Sequence, residues 1–273
     1  GWIAQAMVQD VRENGGFLTL ESLENYQTEK SHIVTGGYRG YKLKSLWLPA
    51  YGAITIEALQ ILEQLPVNLN EEREWARAVY HAIQAAYLDK KEQKNLNDAS
   101  RFTSISWAKK RALEIPLMNR FENDSTNINS KDSISKIEMN LNGHTSHLTV
   151  VDKNGMIVSL THTIGPTMGS KVATPGLGFL YAQTMGGYLG KVEPNLRVPS
   201  HISPIIVFKN DKPFLALGAA GGSRIPSSIV NVISNVIDKK MSLDDALYAP
   251  RVHPLEQGIN LEFVDGIRWN KND

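Results

Sequence analysis

Thr145 stands near the head of the segment GHTSHLTVVDKNGMIVSLTHT, and about 70 residues further on the chain reads GAAGGSRI. The first segment is a threonine entering an alternating strand, a tight Asn-Gly turn and a second alternating strand. The second places adjacent glycines at the start of a helix, where backbone N–H groups point outward. A hydroxyl nucleophile and a nest of N–H donors are the minimum parts of an acyl-transfer site. Each part also has an ordinary reading. Threonine is a common strand-former, and Gly221-Gly222 suits a strand-to-helix turn that needs positive φ.

Position sharpens the reading of Thr145. Residues 121–144, FENDSTNINSKDSISKIEMNLNGH, are rich in Asn, Ser, Asp and Lys and poor in large apolar groups. Such a stretch buries too little surface to offset its ordering entropy, so it reads as a mobile linker. It ends directly before Thr145. Cleavage of the His144–Thr145 bond would make Thr145 a chain terminus at a strand edge. Its α-amine, with an ordinary pKa of ~8, can then serve as general base for its own hydroxyl. His144, His147 and His162 lack the spacing of metal ligands, and no acidic cluster completes a site with them. Lys109-Lys110-Arg111 reads as a solvated helix face. No cofactor is implied.

The elements that must position these residues follow from periodicity. Helical spacing is expected over 3–14, from Thr19, over 54–65, from an Asn70 cap to about Lys91, and over 104–119 with Pro116 disturbing its end. A β pattern occupies 32–48. Later strands are expected at 145–152, 156–163, 177–182, 205–208 and 214–217, with Gly222 opening a helix to about Lys239 and Ser242 starting a short one. Helices, hairpin strands and helices again suggest a layered α+β fold with antiparallel pairs.

The chain has 273 residues, 42% of them hydrophobic, and a net charge of only +1. No global basic field argues for nucleic acid. The absence of cysteine excludes disulfides, thiol catalysis and zinc-thiolate sites. No apolar run approaches the ~18 residues of a membrane span. Gly1-Trp2-Ile3 enters a helical pattern at once, and residues 268–273 bring no closing element. The chain therefore reads as a portion of a longer polypeptide.

With these residues in view, the sequence resembles the γ-glutamyltransferase family of N-terminal-nucleophile hydrolases. The motifs that carry the likeness are Thr145-Ser146-His147 with Val150 to Gly155, Ser159 to Thr163, Ser203-Pro204, Gly218 to Ile225 and Ala249-Pro250-Arg251. Upstream, Asn14 to Phe17 and Gly37 to Tyr41 also fit. The resemblance implies a four-layer αββα fold and self-cleavage before Thr145. Residues 1–120 would end the large subunit, 121–144 would be the linker, and 145–273 would form most of the small subunit, cut short at its end.

By position, the resemblance makes Thr145 the nucleophile and Thr163 the hydroxyl that orients it. Gly221 and Gly222 match the oxyanion-hole glycines. Ser200 and His201 match a serine pair at the substrate wall, the second serine being replaced, and Gln183 matches a glutamine near the α-amino group. Arg197, with Lys171 and Lys191, is a candidate contact for substrate carboxylates.

Departures from the family pattern point to a substrate. Gly165 stands where glutathione-processing members carry Asn, Gly186 where they carry Asp, and the segment from Gly186 to Leu196 is shorter than their lid loop. Those side chains grip a free α-amine. Their loss resembles the capsule branch, which cuts and transfers poly-γ-glutamate to amino acid, peptide or cell-wall acceptors outside a bacterial cell. A glutathione-type hydrolase and a non-catalytic binding module that kept the fold are the alternative readings.

Overall fold

Eleven consecutive residues of one helix, Gly52 to Leu62, are buried, and the rest of the chain is organised around them. A computed structural model describes residues 1–115, 145–184, 197–254 and 259–262. In chain order, α1 (Trp2–Glu13) and α2 (Leu20–Glu24) precede a hairpin of β1 (Ile33–Tyr38) and β2 (Tyr41–Leu46). The buried helix, α3 (Gly52–Gln64), follows, then α4 (Glu72–Asp89), α5 (Leu96–Phe102) and α6 (Ile105–Glu114). After Thr145 come β3 (Thr145–Val151), β4 (Ile157–Thr163), β5 (Ile205–Lys209) and β6 (Lys212–Leu217). The last described elements are α7 (Arg224–Ile237), α8 (Leu243–Tyr248), β7 (Val252–Pro254) and β8 (Ile259–Leu261).

Four strands form an antiparallel sheet in the order β1-β2-β5-β6. Its central joint pairs Lys42 with Phe208, Leu43 with Val207 and Lys44 with Ile206. Residues before and after Thr145 therefore share one sheet, and they share one core. Tyr38, Leu59, Trp75 and Phe102 from the first part pack in the same buried cluster as Ile205, Ile225 and Ile233 from the second. Each large side chain removed from water contributes about 1.5–3 kcal/mol. Strand pairs and core contacts, and not the covalent link alone, thus join the two parts.

The hairpin β3–β4 is a separate two-stranded sheet that docks on β6 through side chains. Thr149 Oγ1 donates to the Ala216 carbonyl at 3.4 Å, and Ser159 Oγ donates to that of Leu217 at 3.3 Å. The His147 ring lies against Gly218, where an added Cβ would come within 2.3 Å of Nδ1. His147 is otherwise occupied by Thr161 and Thr149, at 2.9 and 3.1 Å. Helices over an antiparallel sheet with a second β layer give the expected α+β class.

Local differences have local causes. The cap of α4 is Glu71 rather than Asn70, because the Glu71 carboxylate accepts from the N–H groups of Arg73 and Glu74, at 3.2 and 2.7 Å. Residues 177–182 do not form the expected strand. They make single backbone bonds to an irregular neighbour, such as Tyr181 N–H to the Val172 carbonyl at 3.0 Å, instead of a ladder. Helix α6 ends at Glu114, and the expected linker at 121–144 lies outside the described residues. Among the described residues, no helix is long and apolar enough to cross a membrane.

Charged groups inside the core fix the end of α4. Glu57 on α3 is fully buried and accepts from Trp107 Nε1 at 2.7 Å and Gln93 Nε2 at 3.2 Å. Trp107 Nε1 also reaches Asp89 at 3.1 Å, and Arg111 pairs with Asp89 at 2.8 Å. Burial, with the neighbouring Asp89 carboxylate second, raises the Glu57 carboxyl well above its usual range. A folded-state pKa above the unfolded one means that the native state holds a proton the unfolded chain has lost. Stability from this group is complete at low pH and declines as pH rises above the unfolded glutamate value of about 4.3. Glu57→Gln, which mimics the protonated acid, is expected to lose less thermal stability between pH 5 and 8 than the parent. Melting curves across that range check this, and a parallel pair of Tm-versus-pH curves would contradict it.

Candidate active site

The turn between β3 and β4 sets the geometry of the site. Asp152 Oδ1 accepts from the N–H groups of Asn154 and Met156, both at 2.8 Å, and its carbonyl accepts from Gly155 at 3.0 Å. This closes the loop tightly enough to fix the register, which runs without a shift from Val151 opposite Ile157 to Thr145 opposite Thr163. The Thr145 hydroxyl donates to Thr163 Oγ1 at 3.1 Å. The Gly165 N–H donates to the same oxygen at 3.2 Å, so Thr163 is held from both sides.

Thr145 and Thr163 line a cleft of about 560 Å³ together with Gly222 and the first turn of α7. Gly221 and Gly222 have φ of 134° and 60°, and among the described residues neither N–H has a hydrogen-bond partner. Their turn is anchored from behind. The Tyr87 hydroxyl of α4 donates to the Ser223 carbonyl at 2.5 Å. Ser227 on α7 bonds the Arg224 carbonyl at 2.9 Å and buried His253 at 2.6 Å. An unpartnered pair of N–H groups at a rigid helix start is suited to a developing oxyanion.

A second wall is built by long-range pairing. Ser200 N–H donates to the Pro49 carbonyl at 2.7 Å, and Tyr51 N–H to that of Ile202 at 2.9 Å. These bonds bring the His201 and Tyr51 rings edge to face, with centroids 4.6 Å apart. Lys90, just past the end of α4, lies over the Tyr51 ring with Nζ 4.5 Å from its centroid. Burial, with the Lys90 charge second, pushes the His201 imidazole down to about 4. At neutral pH His201 is therefore an uncharged hydrogen-bonding group at this wall.

Residues 1–266 match the family described as gamma-glutamyltranspeptidase. The chain belongs to that family. It is 31% identical to the glutathione hydrolase proenzyme of Escherichia coli strain K12, over 93% of this chain and 47% of that protein. It is 26% identical to the glutathione hydrolase proenzyme of Bacillus subtilis subsp. natto, over 98% of this chain and 49% of that one. The chain thus spans about half the length of the curated relatives it matches. Among solved structures, a cephalosporin acylase from Bacillus halodurans superposes with a TM-score of 0.72 at 24% identity, over 93% of this chain and 46% of that one. That likeness is one of fold, the expected four-layer αββα arrangement.

Of the residues named from sequence, Thr145, Thr163, Gly222, Ser200 and His201 come together in one cleft, and Gly221 adjoins it. Arg197 does not line it. Its guanidinium is engaged by Glu29 at 3.1 Å, the Tyr26 hydroxyl at 2.9 Å and the Gln27 carbonyl at 2.6 Å. Lys171 is exposed in a turn with φ of 60°, while Lys191, Gly186 and His144 lie outside the described residues. Gln183 contributes backbone, not side chain. Its N–H donates to the Ile164 carbonyl at 2.9 Å, its side chain is exposed, and Thr184 is the residue that lines the cleft. Tyr51, Lys90 and Thr184 escape sequence reading because no motif marks them. Contacts across more than a hundred residues of chain bring Tyr51 and Lys90 to the site.

Gly165 is constrained by more than substrate choice. Its φ is +88°, and a Cβ there would meet the Gln183 carbonyl oxygen at 2.5 Å and its carbon at 2.9 Å. Putting the family's Asn at this position must therefore displace the 183–184 backbone. It also adds about 1–3 kcal/mol of backbone strain. Gly165→Asn is expected to lower stability by at least that amount without creating a preference for donors with a free α-amine. Denaturant unfolding and steady-state kinetics check this. A variant of parental stability that gained the preference would contradict it.

Proposed function

We propose that this chain is the nucleophile-bearing part of a self-cleaving γ-glutamyl acyl transferase or hydrolase that cuts or transfers poly-γ-glutamate. The observation that carries the reading is the Thr145 hydroxyl held 3.1 Å from Thr163 in a cleft shared with Gly222. In maturation, Thr145 Oγ adds to the His144 carbonyl, collapse of the adduct breaks the C–N bond to free the Thr145 amine and leave an ester, and water hydrolyses that ester to the His144 carboxylate and the free Thr145 hydroxyl. The parts of the protein before and after the His144–Thr145 bond become two subunits, held by the β2–β5 joint and the common core.

In turnover, the freed α-amine takes the Thr145 hydroxyl proton as Oγ attacks the γ-carbonyl of the donor. The Gly221 and Gly222 N–H groups stabilise the tetrahedral oxyanion. Losing one such donor typically costs about 3–4 kcal/mol of transition-state stabilisation. The ammonium returns its proton to the leaving amine. Water or an acceptor amine then resolves the γ-glutamyl ester, giving hydrolysis or transfer.

The polymer reading is supported by Gly165, which offers no side chain to grip a free α-amine. Interior units of poly-γ-glutamate have none, and each carries a carboxylate. A polymer donor of this kind supports a location at the extracellular face of a bacterium. The kinship to glutathione hydrolase proenzymes favours a second reading, in which the donor is glutathione.

The full-length protein is expected to separate into two pieces on a denaturing gel and to shorten poly-γ-glutamate faster than it cleaves glutathione. Thr145→Ala should remain one piece and do neither. Recovery of two normal pieces from that variant would overturn the nucleophile assignment. A strong parental preference for glutathione would move the protein to the second reading and leave Thr145 in place.

A further inference from the structure

Ser227, His253 and Glu262 form a serine–histidine–carboxylate row that the acyl-transfer steps do not use. Ser227 Oγ lies 2.6 Å from His253 Nδ1, and His253 Nε2 lies 2.9 Å from Glu262 Oε1. Ser227 and His253 are each 1% exposed, so substrate does not reach this serine and it is no nucleophile. A buried row of this kind can act by holding something in place.

Its far end is rigid. Arg251 Nη1 donates to the other Glu262 oxygen at 2.9 Å, and Arg251 Nη2 donates to the Leu247 carbonyl of α8 at 2.6 Å. The hydrogen bond from His253, with the Arg251 charge adding to it, holds the Glu262 carboxyl down at about 2. Glu262 is therefore an acceptor only at neutral pH, and His253 meets it with a hydrogen on Nε2. The ring is fixed in one orientation, with Nδ1 turned to Ser227. Arg251 closes the Ala249-Pro250-Arg251 motif, which has no part in the chemistry at Thr145 itself.

The near end reaches the glycine turn. Ser227 Oγ donates to the Arg224 carbonyl at 2.9 Å, within the first turn of α7. The Arg224 N–H donates to the Gly221 carbonyl at 3.2 Å, and the Ile225 N–H to that of Gly222 at 3.1 Å. The Gly221 carbonyl and the Gly222 N–H belong to one planar peptide, so fixing the first aims the second. Gly222 lines the cleft with Thr145.

We propose that His253 is a positioning residue for acyl transfer: through Ser227 and Arg224 it aims the Gly222 N–H at the oxyanion that forms when Thr145 attacks. This rests on the γ-glutamyl transfer reading above and adds to it the groups that keep the oxyanion site in register. Such donors act on the transition state, so a mis-aimed N–H lowers the acylation rate and leaves donor affinity nearly unchanged.

The test uses the full-length enzyme, because the chain spans about half of its relatives, with a γ-glutamyl anilide as donor. First-turnover amine release, the half-saturating donor concentration and Tm are read for Ser227→Ala, His253→Asn and His253→Gln. The side-chain amide stands near the place of Nδ1 in Asn and of Nε2 in Gln, so the first keeps Ser227 and the second keeps Glu262. Each His253 variant leaves one buried partner unmet, and their Tm values should fall by similar amounts. Their rates should part. Ser227→Ala and His253→Gln should release amine about 10- to 100-fold more slowly, at most the loss of one whole oxyanion donor, with half-saturation within about threefold of the parent. His253→Asn should recover most of the rate. The double variant, Ser227→Ala with His253→Gln, should be no slower than either alone, because both break one path. Rates that follow Tm across the variants, or losses that add in the double variant, would overturn the role of His253 while γ-glutamyl transfer stands. If neither His253 variant folds, Ser227→Ala decides alone, and a parental rate there overturns the proposal. A parent enzyme inert on the anilide, with Thr145 intact, would instead remove the transfer reading and this inference with it.

Discussion

The register of one hairpin is the constraint on which the site depends. Because side chains alternate across a strand, a slip of one residue between β3 and β4 would turn every side chain to the opposite face. The Thr145–Thr163 pair would be lost with it. The turn at 152–156 prevents the slip with bonds to Asp152 from three backbone N–H groups. His147 and Thr149, two and four residues on from Thr145 and on the same face, lock that face to β6. The hydroxyl that could attack is thus held by a turn roughly ten residues away and by a neighbouring strand, not by its immediate neighbours alone.

A second constraint is that the two sides of Thr145 are one folding unit. The β2–β5 pairs and the mixed core carry the interface, and helix α4 belongs to the first part while supporting the glycine turn of the second through Tyr87. Cleavage next to Thr145 would leave those contacts in place. Under the proposed self-processing, the new amine would form without releasing the pieces, as an N-terminal nucleophile requires.

The sequence was most informative where local rules suffice. The Asn-Gly turn, the alternating strands around it, the glycine pair before α7 and the helical stripes of α3 and α4 were all legible, because each is decided within a few residues. What escaped depends on distant contacts. Lys90 and Tyr51 join the site only because residues 49–51 pair with 200–202. Arg197 was a reasonable candidate by proximity in sequence, yet Glu29 and Tyr26 claim its guanidinium. Residues 177–182 had a strand-like composition but no flat neighbour to ladder with. Gly165 looked like a missing side chain in sequence and is, in three dimensions, a place where backbone from 183–184 leaves no room for one.

The central claim is that the Thr145 hydroxyl forms the acyl bond. The most direct measurement is rapid acid quench of the processed enzyme during turnover of a γ-glutamyl donor, followed by peptide mass mapping. The account predicts one γ-glutamyl ester, on the new N-terminal threonine of the peptide that begins at Thr145. An adduct on any other residue, or steady turnover with no adduct at Thr145 under conditions where the leaving group is released faster than the acyl-enzyme resolves, would contradict it.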